Sequence, residues 1–113
     1  MHVNDVITSI YASFNTRQIN AALEYFHEDV EWPNGWKGGV IQGKEAVSEY
    51  WSLQWKEIDP IVTPESIEML EDGRIRVHVH QVVKDLTGTV IFDGVLDHIY
   101  TFRKGLVEKM EIA

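Results

Sequence analysis

The sequence lacks cysteine and contains only three prolines among its 113 residues. Without cysteine, a disulfide framework, a thiol nucleophile and a cysteine-ligated metal site are excluded. No uninterrupted apolar run approaches the roughly 18 residues of a membrane helix, and the first residues do not join a basic region to an apolar run as a secretory signal does. We therefore expect a cytoplasmic protein without membrane contact, and the length predicts a single domain over residues 1–113.

Basic residues are also scarce, with ten Lys and Arg against eighteen Asp and Glu and a formal charge of -8. Basic patches supply the affinity of proteins for phosphate backbones, so this balance argues against a nucleic-acid partner. Aromatic residues are plentiful, and four tryptophans lie close together in the sequence: Trp32, Trp36, Trp51 and Trp55. Such a cluster can simply fill a core, but it also predicts that at least one member forms a pocket wall.

Apolar residues recur at helical spacing in the first half of the chain, and this periodicity predicts three helices. The predicted helices cover residues 4–14, 19–26 and 43–58. Between the second and third, the sequence predicts a short strand at residues 30–32 and a glycine-rich loop at residues 36–42.

Beyond Pro60 the apolar spacing changes to two, which is typical of strands. The predicted strands cover residues 61–70, 74–84, 89–102 and 106–112. Helices followed by a meander of strands indicate an α+β fold, in which helices pack on one face of a curved antiparallel sheet.

Asp97 is the one acidic residue in the apolar and aromatic stretch of residues 95–102. Aspartate is rare in strands and costly to bury without a partner. We therefore expect Asp97 to face a pocket, with its pKa raised by apolar surroundings so that it can donate a proton. The alternative is a carboxylate paired with Arg76 or His78 that only fixes the sheet.

Register counting assigns faces to the last hairpin. A two-residue loop at residues 104–105 places Asp97 and Ile99 on one sheet face with Met110 and Ile112, and this face suits the helices. The opposite face then carries residues that we expect to form a homodimer contact on the outer side of the sheet: His98, Tyr100 and Phe102.

His78 and His80 lie two residues apart in a predicted strand and so point the same way. A two-residue loop at residues 87–88 places His78 opposite Asp97, and a four-residue loop places Arg76 there, whereas a three-residue loop with a bulge could separate them. Two imidazoles and a carboxylate could chelate a metal, but an acid–base pair of His78 and Asp97 is favoured over a metal site. The interpretation favoured over both is that the two histidines are solvated or lie in an interface.

Several short motifs resemble a known family. They are the phrase Phe-His-Glu-Asp-Val-Glu-Trp at residues 26–32, the helix after Gly43, and the closing His98-x-Tyr100-x-Phe102 followed by Gly-Leu. Together they resemble the SnoaL-like branch of the nuclear transport factor 2-like superfamily, which also contains the ketosteroid isomerases. The resemblance implies a cone, in which a curved antiparallel sheet wraps around three N-terminal helices, opens to an apolar cavity, and is usually dimeric.

The catalytic set of the ketosteroid isomerases carries over only in part. Their oxyanion aspartate matches Asp97, which precedes His98 in an Asp-His motif. Their general base falls on Asn34, which cannot accept a proton, and their oxyanion tyrosine falls on Ile10, next to Tyr11. The resemblance therefore implies the fold and a cavity, whereas steroid-type isomerisation by the same mechanism is not expected.

The sequence thus predicts a pocket for a small apolar or aromatic metabolite, without cofactor or metal. If the protein is an enzyme, we expect proton transfer on a carbonyl compound (isomerase, cyclase or dehydratase type), with Asp97 as acid and His78 as base. The alternative is a non-catalytic binding or dimerisation module. The predicted ligand-binding residues are Tyr11, Phe14, Trp32, Asn34, Trp51, Trp55, His80 and Ile99.

Overall fold

The computed structural model describes residues 2–35 and 37–113. Trp36, which belongs to the predicted loop and to the tryptophan cluster, lies outside the described residues. The elements follow the order α1 (Val3–Asn15), α2 (Ile19–Leu23), β1 (Phe26–Pro33), β2 (Val40–Gln42), α3 (Lys44–Trp55), β3 (Ile58–Met69), β4 (Ile75–Asp85), β5 (Val90–Arg103) and β6 (Leu106–Ile112). The predicted α+β plan is confirmed, and β2 is an addition that the sequence pattern did not reveal.

The strands form one sheet in the order β2-β1-β6-β5-β4-β3. Strands β3 to β6 are a meander of antiparallel neighbours, whereas β1 runs parallel to β6. This parallel pairing joins the two halves of the sequence. The helices precede β1 or lie between β2 and β3 in the chain, and they cover one face of the sheet.

The face beneath the helices is identified by the alternation in β4. Ile75, Val77 and Val79 are almost fully buried, while the residues between them are partly or largely exposed. In the neighbouring strand β5, Tyr100 lies opposite Ile75 and His98 lies opposite Val77. Cross-strand partners share a face, so His98 and Tyr100 point to the helices.

The predicted faces of β5 are therefore wrong. The loop at residues 104–105 does pair Arg103 with Leu106, but the register shifts between Thr101 and Phe102, so that Thr101 lies opposite Lys109. The extra residue is a bulge, and it moves every later residue of β6 to the other face. Below it, Tyr100 pairs with Met110 and His98 with Ile112.

The turn between β4 and β5 combines two irregularities that cancel. The Asp85 N–H donates to the Thr89 carbonyl (2.8 Å) around a three-residue loop, in which Gly88 adopts a φ of 94° that suits glycine. A register shift between Val83 and Lys84 then restores the strand pairing that a two-residue loop would give. His78 consequently lies opposite Asp97, although a three-residue loop with a bulge is the type that could have separated these two residues.

Candidate functional site

A cavity of about 110 Å³ lies between α1, α3 and the inner face of the sheet. Its wall is largely aromatic and aliphatic, with a few polar side chains among them. The lining residues from the helices are Ile10, Tyr11, Phe14, Tyr50, Trp51 and Gln54. Those from the strands and the turn after β1 are Trp32, Pro33, Gly35, Val62, Gln81, His98, Tyr100, Met110 and Ile112.

Three of these side chains form a hydrogen-bonded chain. The Tyr100 hydroxyl donates to the Tyr11 hydroxyl (2.8 Å), and the Tyr11 hydroxyl lies 2.7 Å from His98 Nδ1. The rings of Tyr11 and His98 are nearly parallel, with an angle of 18° and centroids 5.9 Å apart. All three residues are buried, and the chain provides the partners that buried polar groups require.

Burial also keeps this chain uncharged. It lowers the pKa of His98 from 6.5 to about 4, against a smaller opposing effect of the neighbouring Asp97 charge. It raises the pKa of Tyr11 and the pKa of Tyr100 above their ordinary value. At neutral pH the site therefore offers a neutral imidazole and two neutral phenols.

Further polar groups lie at the helix α3 side of the cavity. The Tyr50 hydroxyl accepts hydrogen bonds from the Gly35 N–H (3.1 Å) and from Gln54 Nε2 (3.3 Å), which ties α3 to the turn after β1. Gln81 reaches the cavity from β4. Among the described residues, no carboxylate lines this cavity.

Four of the predicted ligand-binding residues do line the cavity, namely Tyr11, Phe14, Trp32 and Trp51. Trp51 is the centre of this aromatic wall, since its ring lies 5.2 Å from that of Phe14 and 5.4 Å from that of Trp32, both edge to face. Edge-to-face packing of this kind favours a fixed ring position. Of the clustered tryptophans, Trp32 and Trp51 line the cavity, and their role in binding a ligand stays a prediction.

Two other predicted ligand-binding residues lie beside the cavity. The Trp55 ring packs on Phe14 at 5.2 Å, and the Arg17 guanidinium lies over it at 4.9 Å, so Trp55 supports the wall from behind. Asn34 lines a neighbouring groove with Lys37, whose N–H donates to Asn34 Oδ1 (3.0 Å).

The last predicted site residues lie on the outer face of the sheet, so the expectation that Asp97 looks into an apolar cavity is wrong. His78 Nδ1 does bond Asp97 Oδ1 at 2.7 Å, and Arg76 Nε lies 3.6 Å from the second carboxylate oxygen. These partners satisfy the charge in a half-buried position, which removes the reason for placing it in a pocket. His80 bonds Asp93 at 2.6 Å.

Ile99 shares that outer face, because it lies opposite Arg76 in the β4–β5 register and is not among the cavity-lining residues. The predicted dimer contact on the outer face is wrong for His98 and Tyr100, because both are buried under the helices. The homodimer itself stays a prediction, without these residues in its interface.

His98 and Tyr100 are the cavity-lining residues that the sequence reasoning placed on the wrong side of the sheet. The signal was present, since the register that pairs His78 with Asp97 also places Asp97 on the polar side of β4. The apolar residues of β4 alternate with His78, and that alternation assigns the opposite side to the core.

Two other structural expectations concern metals and membranes. In residues 2–35 and 37–113, no group of three or more His, Asp or Glu side chains is arranged to hold a metal ion. None of the described helices is long and apolar enough to cross a membrane.

The chain matches a family model described as SnoaL-like domain over residues 7–110. Among solved structures, TerC co-crystallized with polyporic acid is 26% identical, with a TM-score of 0.84 over 96% of this chain and 88% of that chain. A Mycobacterium tuberculosis protein in complex with estradiol-17β-hemisuccinate is 18% identical, with a TM-score of 0.81 over 95% and 88% of the two chains.

A third structure comes from Xanthomonas campestris pv. campestris, and its name proposes a polyketide cyclase. It is 17% identical, with a TM-score of 0.79 over 96% of this chain and 87% of that chain. At such identities the last two structures show a shared fold. No curated protein matches the chain significantly.

Proposed function

Because the chain belongs to the SnoaL-like domain family, we propose that its cavity binds a small carbonyl compound no larger than a single ring. In this proposal the protein promotes proton transfer on that compound, in a reaction of the isomerase or cyclase type. The observation that carries this proposal is the chain of Tyr100, Tyr11 and His98 in the wall of an aromatic cavity. An apolar pocket with a few convergent polar groups is the usual form of a small-molecule site.

The polar groups determine the kind of ligand. In the part of the chain that the structure describes, His98 Nε2 has no hydrogen-bond partner, so it remains for a ligand. When Tyr11 donates to Nδ1, the neutral ring carries its proton on Nε2 and donates to an acceptor such as a carbonyl oxygen. A donor fixed in position at the cavity wall stabilises negative charge that develops on that oxygen.

The size of the cavity limits the ligand further. A buried cavity of about 150 Å³ in another protein holds benzene, and this cavity is smaller, at about 110 Å³, so a single ring is the upper limit for its enclosed part. A larger ligand would have to extend through the opening or displace wall residues. That structural neighbours are described with polyporic acid and with estradiol-17β-hemisuccinate supports small organic ligands for this fold.

Hydrogen–deuterium exchange on cyclohexanone tests the proposal. We expect the protein to accelerate deuterium incorporation next to the carbonyl in D₂O, with saturation, as followed by proton NMR. His98→Gln should lower the rate at least about tenfold, which corresponds to one hydrogen bond of about 1.4 kcal/mol. His27→Gln is the matched control, because His27 bonds Arg103 away from the cavity.

A second candidate function is ligand binding without reaction. It is favoured by the lack of a carboxylate among the described residues that line the cavity, since carboxylates are common general bases. Saturable binding of cyclohexanone without any exchange would establish this second function and contradict the first. Exchange that persists in His98→Gln would contradict the assigned site.

A further inference from the structure

The hydrogen-bonded chain can be arranged in two ways with the same heavy-atom positions. Tyr100 donates to the Tyr11 hydroxyl oxygen in both. In the first arrangement Tyr11 donates to His98 Nδ1, and Nε2 carries a proton. In the second, His98 Nδ1 donates to Tyr11, the Tyr11 proton turns to the cavity, and Nε2 has a free lone pair. Both obey the donor and acceptor capacities of phenol and imidazole.

The two arrangements offer a ligand opposite sets of hydrogen-bond donors and acceptors. In the first, His98 Nε2 is a donor and the Tyr11 oxygen is an acceptor; in the second, Nε2 is an acceptor and Tyr11 is a donor. Both residues line the cavity, so one ligand can touch both ends. Resting on the function proposed above, we propose that Tyr11 and His98 form an uncharged two-way proton relay, positioned by Tyr100, that interconverts the keto and enol forms of a bound ketone.

The proton balance of the relay closes. From the first arrangement, Tyr11 takes a proton from the carbon next to the carbonyl, passes its own proton to His98 Nδ1, and Nε2–H protonates the carbonyl oxygen. The carbon–hydrogen bond and the carbonyl π bond break, while a carbon–carbon double bond and an O–H bond form. The protein is left in the second arrangement, and no atom gains or loses charge overall.

Return of the proton resets the relay. The enol O–H gives its proton to Nε2, Nδ1–H gives its proton to Tyr11, and Tyr11 protonates either the same carbon or another carbon of the conjugated system. The first outcome gives exchange, and the second gives an isomer. The substrate class is therefore an enolisable ketone, and no charged base is required in the cavity.

Tyr100 acts through Tyr11 and is a positioning residue. Its donated hydrogen bond polarises the Tyr11 hydroxyl and favours the arrangement in which Tyr11 donates onward, because hydrogen bonds in a chain strengthen one another. Its hydroxyl also holds the Tyr11 oxygen in place at 2.8 Å.

The tautomer of His98 shows which of the two arrangements is present, and it can be observed without any turnover. Nitrogen NMR of protein labelled in its histidine rings distinguishes Nδ1–H from Nε2–H, and His98→Gln identifies the His98 signals. The two probes are cyclohexanone, which only accepts hydrogen bonds, and pyrrole, whose N–H only donates. Because the Tyr11 oxygen already has two protein partners and Nε2 has none, we expect both probes to bind at Nε2. His98 should then carry its proton on Nε2 with cyclohexanone and on Nδ1 with pyrrole.

One tautomer with both bound probes would overturn the relay and leave the binding site intact. Failure of both probes to bind would overturn the proposed function and the relay with it. Tautomer switching without deuterium exchange would support the relay as a binding device and contradict the proposed reaction.

Tyr100→Phe tests the positioning role in the free protein. We expect the His98 population to shift towards Nδ1–H, because Tyr11 loses the donor that favours its own donation. Tyr25→Phe is the matched control, since Tyr25 packs against the core and does not line the cavity. An unchanged tautomer ratio in Tyr100→Phe would contradict the role of Tyr100.

Discussion

The β4–β5 pair presents histidines on both of its faces, and their surroundings differ. On the inner face His98 is 6% exposed and bonds a phenol. On the outer face His78 and His80 are partly exposed, and each bonds a carboxylate, at 2.7 and 2.6 Å respectively. The same side chain is therefore held by burial on one face and by ion pairing on the other.

This difference separates the two kinds of chemistry that the sheet can support. Burial lowers the pKa of His98, whereas the hydrogen bond with Asp93 raises the pKa of His80. The inner histidine is a neutral donor or acceptor at pH 7, whereas His80 on the outer face gains positive charge more readily. The comparison teaches that the two histidine–aspartate contacts of this protein lie on the outer face of the sheet, whereas the histidine and tyrosine side chains of the cavity chain are neutral.

The largest expected effect that sharpens the comparison is acid destabilisation through His98. The unfolded chain binds a proton near pH 6.5, while folded His98 binds it only near pH 4. Stability is therefore lost as pH falls between these values, by about 3 kcal/mol at 1.36 kcal/mol per pKa unit. Urea unfolding at a series of pH values measures this loss, and His98→Gln should flatten its profile in that window. An equally steep profile in the variant would contradict a buried neutral His98.

Tyr11→Phe should have the next largest effect. It leaves the Tyr100 hydroxyl and His98 Nδ1 without a partner in the core, at a cost of about 1–3 kcal/mol. Chemical unfolding at pH 7 measures the difference. Tyr25→Phe is again the control, and a loss equal to that of the control would mean that the inner chain contributes little.

On the outer face, Asp97→Asn should cost about 1 kcal/mol or less, as partly exposed ion pairs usually do. The substitution removes the charge that faces His78 and Arg76. We also expect unchanged deuterium exchange on cyclohexanone. Lost exchange with retained stability would return the catalytic role to Asp97 and His78, as the sequence reasoning had it.

The smallest effect concerns His80 and has the opposite sign to that of His98. Because Asp93 raises the pKa of His80, the pair stabilises the fold below the unfolded pKa and loses this contribution as pH rises through the folded value. Asp93→Asn should therefore lower stability slightly at pH 6 and less at pH 8. A larger loss at pH 8 than at pH 6 would contradict the ion pair.

The sequence predicted the order of the elements well, because local signals determine them. The period-two alternation of β4 is readable without any tertiary contact. The predicted break at residues 59–60 is wrong, because α3 ends at Trp55 and both residues belong to β3. Four residues that the resemblance placed at a cavity wall do line the cavity, namely Tyr11, Phe14, Trp32 and Trp51.

The faces of β5 were assigned wrongly from the β5–β6 hairpin, although the alternation of β4 carried the correct signal, and there are two physical reasons for the error. One added residue in β6 reverses its alternation, and the bulge has no clear sequence signal. The polar residue that enters the core, His98, does so because Tyr11 offers a partner from a helix 87 residues away in sequence. The sequence of β5 alone therefore does not show that a distant tyrosine offsets the cost of burying the His98 imidazole.

That separation has a consequence for how the protein reaches its native state. The His78–Asp97 bond closes a loop of 19 residues, whereas the bonds of Tyr11 to His98 and Tyr100 close loops of 87 and 89. Closure entropy grows with loop length, and distant contacts slow folding more than local ones. The hairpins can therefore form early, while the cavity exists only after the first helix has docked on the finished meander. A small molecule that binds in this cavity would therefore report whether α1 is docked on the sheet, because Ile10, Tyr11 and Phe14 of α1 line it.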